Sequence, residues 1–199
     1  MLPGFSWLPE LVKNLQKLSI GIMTSNQKDN KVILICFYGP ESTGKSTLAK
    51  KLAVHFETLF VPEVAREIVT SNQFTLDDIR KIAKAQNQRV KEFIPKANRF
   101  LICDTDILTT RIYSNQYLGE APIELDDLEK EILYDHYFLF DIDVPWISDG
   151  MRDLKDQRPT MLEKFKKELD SRTIPYTWVR GNYEERERFL IQEIEKRIR

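Results

Sequence analysis

The sequence predicts an α/β domain in which helices cover both faces of a parallel β-sheet. Three observations lead there. Five apolar, β-rich runs, at residues 32–38, 59–62, 100–103, 137–142 and 176–179, are separated by stretches of helical periodicity. The runs lack the apolar–polar alternation of a half-solvated strand, which is the pattern of strands buried on both faces. A chain of 199 residues with 42% hydrophobic side chains is long enough for one substantial core and short for two.

Taken in order, residues 9–23 place Leu11, Leu15, Leu18 and Ile22 at helical spacing with Lys13 and Lys17 opposite, which predicts an amphipathic helix; residues 24–31 read as its linker. Residues 1–30 are therefore set apart from a domain over 31–199. The helix either packs on the domain, forms a partly ordered leader, or serves a partner, a second copy of the chain or a membrane surface. Beyond it, helices are expected at 45–57, 64–72, 76–97, 107–117, 125–134, 160–171 and 183–198. Thr75 with Asp78 has the arrangement of a helix N-terminal cap. The alternating charges of 184–199 read as a solvated helix face.

Lys and Arg total 30 against 31 Asp and Glu, a net charge of −1, so no global field favours a nucleic-acid partner. Cys36 and Cys103 sit in apolar runs without metal-site spacing and read as core thiols. No apolar run approaches the length of a membrane span, and the N-terminus lacks a secretory signal pattern. The expected location is the cytoplasm. His55 and His136 have no neighbouring nucleophile pattern and are not expected to be catalytic.

The strongest motif is Gly39-Pro40-Glu41-Ser42-Thr43-Gly44-Lys45-Ser46, a G-x-x-x-x-G-K-[ST] loop with Thr47 following. A strand pattern leads in and a helix pattern leads out, so backbone N–H groups and a helix N-terminus would converge on phosphate oxygens. The two glycines permit torsions and close approaches that a side chain obstructs. Lys45 would bring its charge to the β- and γ-phosphates, and Ser46 its hydroxyl to Mg2+. The absence of an Asn-Lys-x-Asp guanine motif tilts the nucleotide to ATP over GTP.

Ligands of an open parallel sheet gather at the strands' carboxyl ends, so charges following each strand are the next candidates. After the second, Glu63, Arg66 and Glu67 recur at helical spacing; Glu63 and Arg66 would face one ligand or form a surface ion pair. Phosphoryl transfer to a hydroxyl calls for a carboxylate near the acceptor, and Glu63 is the first candidate. After the third, Asp104 is the candidate magnesium-shell carboxylate. Asp106 would either contact the acceptor or cap the following helix. After the fourth, Arg152 and Arg158 would form an arginine-bearing lid that neutralises the transferring phosphoryl group, or remain solvated charges. Trp146 would stack on a flat base, or simply pack.

Together these clusters resemble the ribosylnicotinamide kinase domain of the NadR family. The resemblance rests on Gly39 to Ser46, Glu63 with Arg66-Glu67, Gln88-Arg89, Asp104-Thr105-Asp106 with Thr109-Thr110, and Trp146 with Asp149-Gly150 and Arg152, and it spans roughly residues 32–198. It implies a three-layer P-loop kinase fold of the nucleoside and nucleotide kinase type on a five-stranded parallel sheet. The implied reaction is transfer of the ATP γ-phosphate to the 5′-hydroxyl of nicotinamide riboside, giving nicotinamide mononucleotide. Multidomain NadR proteins also carry adenylyltransferase and DNA-binding domains. This chain has length for neither, so those activities are not expected of it. Two other readings stay open: a kinase of another nucleoside or small alcohol, and a regulatory ATPase or GTPase module that acts on a protein partner.

Overall fold

A computed structural model of the chain describes residues 31–148 and 152–198. The N-terminal helix and linker expected over 1–30, with their partner contacts, and the Asp149-Gly150 pair lie outside the described residues. The elements run β1 (Ile33–Tyr38), α1 (Lys45–His55), β2 (Leu59–Val61), α2 (Ala65–Ile68), α3 (Leu76–Phe93), β3 (Phe100–Asp104), α4 (Ile107–Leu118), α5 (Leu125–Glu131), β4 (His136–Phe140), α6 (Arg158–Ser171), β5 (Tyr176–Val179) and α7 (Tyr183–Arg197). Single 3-10 turns at Ile94–Lys96 and Lys155–Gln157 precede β3 and α6.

The five strands are all parallel and lie in the order β2-β3-β1-β4-β5. Parallel neighbours cannot be joined by a tight hairpin, so helices make the crossovers. Strand periodicity divides the core. Ile35 and Phe37 of β1 point with Phe100, Ile102, Phe138, Phe140 and Val179 toward Leu48, Ala49 and Leu52 of α1 and Leu190 and Ile194 of α7. Cys36 and Tyr38, with Tyr137 and Leu139, face the other way, onto Leu108 and Ile112 of α4 and Met161, Leu162, Phe165 and Leu169 of α6. This is the three-layer architecture expected. Each fully buried side chain of this size contributes about 1.5–3 kcal/mol. Cys36 and Cys103 stand side by side on β1 and β3, free and fully buried.

Helix ends follow their side chains. The Thr75–Asp78 capping box starts α3, with Asp78 N–H on Thr75 Oγ1 at 3.3 Å and Thr75 N–H on Asp78 Oδ2 at 2.9 Å. A second box, Asn182–Glu185, starts α7. Pro95 falls in the 3-10 turn that replaces the end of the expected 76–97 helix. The helix expected over 64–72 is only Ala65–Ile68. Val69 is already extended, at φ −122° and ψ 140°, within the β-branched run Ile68-Val69-Thr70, which is stiff in a helix. The α5 helix likewise stops at Glu131 rather than 134.

The reading of 184–199 as a solvated face needs correction at one position. Arg186 is the largest fully buried side chain among the described residues. No helix among the described residues is long and apolar enough to cross a membrane.

Candidate active site

The loop from Gly39 to Gly44 leaves the central strand and enters α1, and the backbone there is under tight constraint. Gly39 has φ +134°, and a Cβ on it would lie 2.8 Å from the Phe140 carbonyl oxygen. Gly44 is the left-handed N-cap of α1 and supplies no side-chain cap, unlike the residues that start α3, α4 and α7. The first-turn N–H groups of α1 are thus left for an anion. Lys45 bends back along the loop, its Nζ donating to the Gly39 and Pro40 carbonyls at 2.7 and 2.6 Å, and Thr43 Oγ1 donates to Pro40 O at 2.8 Å. Burial lowers the Lys45 pKa, opposed by the charges of Asp104, Glu63 and Glu41.

Two arginines hold the outside of this loop. Arg186 of α7 donates to Thr43 O at 2.6 Å, to Gly181 O at 2.8 Å and to Asp141 O at 2.9 Å, and pairs with Asp143. Arg158, at the start of α6, donates to Val144 O at 3.0 Å and Ser42 O at 3.3 Å. In a trans peptide the C=O and N–H point in opposite directions. Drawing the Ser42 and Thr43 carbonyls outward therefore turns the Thr43 and Gly44 N–H groups to the opposite side of the loop. Arg158, expected as a lid arginine, is 9% exposed, with Nη1 and Nη2 on these backbone carbonyls and Nε without a hydrogen-bond partner.

The other loop positions also bind protein groups. Glu41 Oε1 accepts from Leu154 N–H at 3.1 Å, its own N–H donates to Tyr113 Oη at 3.0 Å, and Ser42 Oγ accepts from Ile147 N–H at 2.8 Å. Arg152 Nη1 donates to Ile147 O at 2.8 Å, and the residue lines the cleft.

Asp104 ends β3 next to the loop, 1% exposed, and neither carboxylate oxygen has a hydrogen-bond partner. Burial raises its pKa, countered by the charge of Lys45 and then by the Ser46 hydroxyl, which lies close by without completing a hydrogen bond. An unpartnered buried carboxylate beside a serine hydroxyl is the hard-oxygen donor set that suits Mg2+. Among the described residues no group of three or more His, Cys, Asp or Glu could hold a metal by itself. That fits an ion completed by phosphate and water oxygens. Glu63 lines the cleft with a side chain 29% exposed, and Arg66 Nε lies 3.7 Å from its Oε2. Burial, with the charge of Asp104, raises the Glu63 pKa against the pull of Lys45 and Arg66.

Two expected substrate contacts do not reach the cleft. Asp106 is the α4 N-cap: its Oδ1 accepts from Thr109 N–H at 2.9 Å and its Oδ2 from Tyr137 Oη–H at 2.9 Å, with the carboxylate 2% exposed. Of its two readings, the structure supports capping. Burial pushes its pKa up to about 6, against those same hydrogen bonds. Trp146 carries the Arg158 guanidinium 5.7 Å above its ring and is not part of the cleft lining. Gln88 and Arg89 are spent at the surface, on Glu92 and Glu67.

The cleft itself runs from Lys45 and Ser46 past Glu63 and Arg66 to a wall that sequence reasoning did not identify as such. That wall is Phe74, Ile79, Ile82 and Gln86 beside α4's Thr109, Thr110, Tyr113 and Tyr117. Tyr113 and Tyr117 stack at 6.3 Å, and Phe74 meets Tyr117 edge-on at 5.3 Å. The helical recurrence of Ile79, Ile82 and Gln86 was the available signal, but such a pattern ordinarily marks core.

Fold and site together define a P-loop nucleotide-binding domain with the layout of a nucleoside or nucleotide kinase. A family model described as an AAA domain matches residues 34–186, and the chain belongs to that family. The expected resemblance to NadR is borne out: the chain is 32% identical over 126 residues to the trifunctional NAD biosynthesis/regulator protein NadR of Escherichia coli K12, covering 60% of this chain and 31% of that protein. The Salmonella typhimurium NadR matches at the same identity and coverage. The chain thus spans about a third of the length of these relatives. Among solved structures, NadR in complex with NR superposes with TM-score 0.71 at 21% identity, covering 83% of this chain and 51% of that one. A thymidylate kinase from Ehrlichia chaffeensis has TM-score 0.60 at 15% identity, over 84% of this chain and 99% of the other, a likeness of fold.

Proposed function

We propose that the protein is an ATP- and Mg2+-dependent nucleoside kinase that phosphorylates the 5′-hydroxyl of nicotinamide riboside to nicotinamide mononucleotide. The observation that carries a kinase over a nucleotide-dependent switch is the cleft. It joins the phosphate loop to a carboxylate, Glu63, and then to an aromatic wall that suits a second, flat molecule. The choice of nicotinamide riboside rests on the likeness to NadR proteins.

In this reading the N–H groups of the loop and of the first turn of α1 bind the β- and γ-phosphates, and Lys45 leaves its loop carbonyls to pair with them. Ser46 and Asp104 would hold Mg2+. When bound, the ion neutralises charge on the phosphate oxygens. Glu63, with its raised proton affinity, accepts the proton of the attacking hydroxyl or aligns it. Arg66 and Arg152 stand at the cleft to offset charge on the transferring group.

A coupled assay with ATP and Mg2+ against a nucleoside panel tests this. Turnover is expected with nicotinamide riboside. If nucleotide binds yet no acceptor raises turnover above background hydrolysis, the kinase reading fails and the regulatory one takes its place. If another nucleoside is strongly preferred, only the acceptor assignment falls.

A further inference from the structure

One polar group in the cleft wall has no task in the folded chain. Gln86, on α3, is 2% exposed. Its Oε1 accepts from Val64 N–H at 3.0 Å. A backbone N–H can only donate, so this bond fixes which end of the carboxamide faces Val64 and sends Nε2 elsewhere. Nε2 is buried and has no hydrogen-bond partner. Buried donors are nearly always satisfied, because an unmade hydrogen bond forfeits the water that was given up. Gln86 lines the cleft with Ile79 and Ile82 of its own helix, and the N–H that holds its carboxamide belongs to the residue following Glu63. The orphan donor therefore belongs to the part of the cleft next to Glu63.

We propose that Gln86 is a specificity-determining residue of the acceptor half of the site, its Nε2 donating to an oxygen of the nucleoside that receives the phosphate. The inference rests on the kinase reading above. The Val64 bond makes the group pre-oriented: the carboxamide cannot flip without losing that bond, so it presents a donor and discriminates against acceptors with no oxygen at that point. A ribose hydroxyl and a base carboxamide oxygen offer the same hydrogen-bonding chemistry, and the test separates them.

Steady-state kinetics of the wild type and Gln86→Met would be compared on nicotinamide riboside and on analogues lacking the 2′-hydroxyl, the 3′-hydroxyl or the carboxamide oxygen. One deletion is expected to raise the wild-type KM about tenfold, the scale of one lost hydrogen bond in a closed site. Gln86→Met should raise KM for the intact nucleoside by a similar factor, leave KM for ATP unchanged, and cause no further loss on that one analogue. The inference is overturned if Gln86→Met penalises every analogue equally, or if acceptor and ATP KM rise together with a lowered melting temperature, which marks a packing role. Should the variant not fold, the wild-type panel decides: no single deletion costing more than about threefold overturns it. A wild type that turns over no nucleoside removes the kinase reading and this inference together; turnover without coupling removes this inference alone.

Discussion

The guanidinium of Arg186 donates to the carbonyl of Thr43 at 2.6 Å, tying the last helix to the phosphate loop across 143 residues of sequence. The same guanidinium collects the carbonyls of Gly181 and Asp141 and pairs with Asp143. It is therefore a junction between the loop, the end of β4 and the turn after β5. A planar fork with five fixed donors on three nitrogens can serve three carbonyls and a carboxylate spread around it; an ammonium has three donors on a single nitrogen.

Replacing Arg186 with Ala leaves those carbonyls unpaired and opens a void at a fully buried position. The expected cost is about 3 kcal/mol of stability, read as a shift in urea midpoint. Arg186→Lys should recover only part of it. In both variants ATP affinity should fall, because the Thr43 carbonyl is no longer held outward. An Arg186→Lys protein with wild-type ATP affinity would show that the loop holds its shape unaided.

Lys45→Ala should lower kcat by about 10²- to 10³-fold, the scale of losing one charged contact to a developing oxyanion. A stability loss of about 1–3 kcal/mol should accompany it, since the Gly39 and Pro40 carbonyls that Lys45 engages are buried and lose that donor. Activity and thermal melting measured together check both halves.

Glu63→Gln separates the two ends of the cleft. Its carboxylate faces Arg66 and the cleft and lies outside the phosphate loop. Transfer to the nucleoside should fall by about 10²-fold or more, while the equilibrium affinity for an ATP analogue stays within a few-fold of wild type. Equal loss of ATP binding would move Glu63 from the acceptor side to the donor side.

These sites were unequally legible in the sequence. The phosphate loop, Asp104 and the five strands could be read because each depends on local pattern: a motif, an acid ending an apolar run, unbroken β-rich stretches. Arg186 and Arg158 could not, since what distinguishes them from solvated arginines is contact with carbonyls 143 and 116 residues away. Asp106 could be read both ways because a capping carboxylate and a ligand carboxylate occupy the same place after a strand. Only the Tyr137 hydroxyl, brought in by β4, uses up its second oxygen. The wall of Phe74, Gln86, Tyr113 and Tyr117 was hidden for a related reason: apolar and aromatic residues at helical spacing describe a core face and a binding wall equally well.

Acid stability should depend on His136. Burial, and then the charge of Arg197, lowers its pKa from 6.5 to about 4, and its Nε2 lies 3.0 Å from Thr177 Oγ1. Between these values the unfolded chain binds the proton and the folded chain does not. Stability is then complete above pH 6.5 and falls as the pH drops toward 4. The ring is only half-buried, so solvent screening holds the expected loss to about 1 kcal/mol. Urea unfolding from pH 7 to pH 4 should show a shallower decline in His136→Gln; an unchanged slope would assign the acid loss to other groups.

The two loop glycines should respond differently to alanine, because their obstacles differ. At Gly39 a Cβ would lie 2.8 Å from the Phe140 carbonyl oxygen and 3.2 Å from its nitrogen. That is the backbone of a central strand, which cannot withdraw without breaking its ladder. At Gly44 the obstacle is the Tyr183 ring, 2.6 Å away, on a side chain 36% exposed and able to swing outward. Both positions have positive φ, which costs an alanine about 1 kcal/mol or more. Gly39→Ala should therefore lose about 3 kcal/mol, strain and clash together, and Gly44→Ala about half of that. Adding Tyr183→Ala to Gly44→Ala should recover the steric part and leave the torsional part. For Gly39→Ala, removing the Phe140 side chain should recover nothing, since the clash is with the main chain. Recovery there would mean that the strand can move away from the loop.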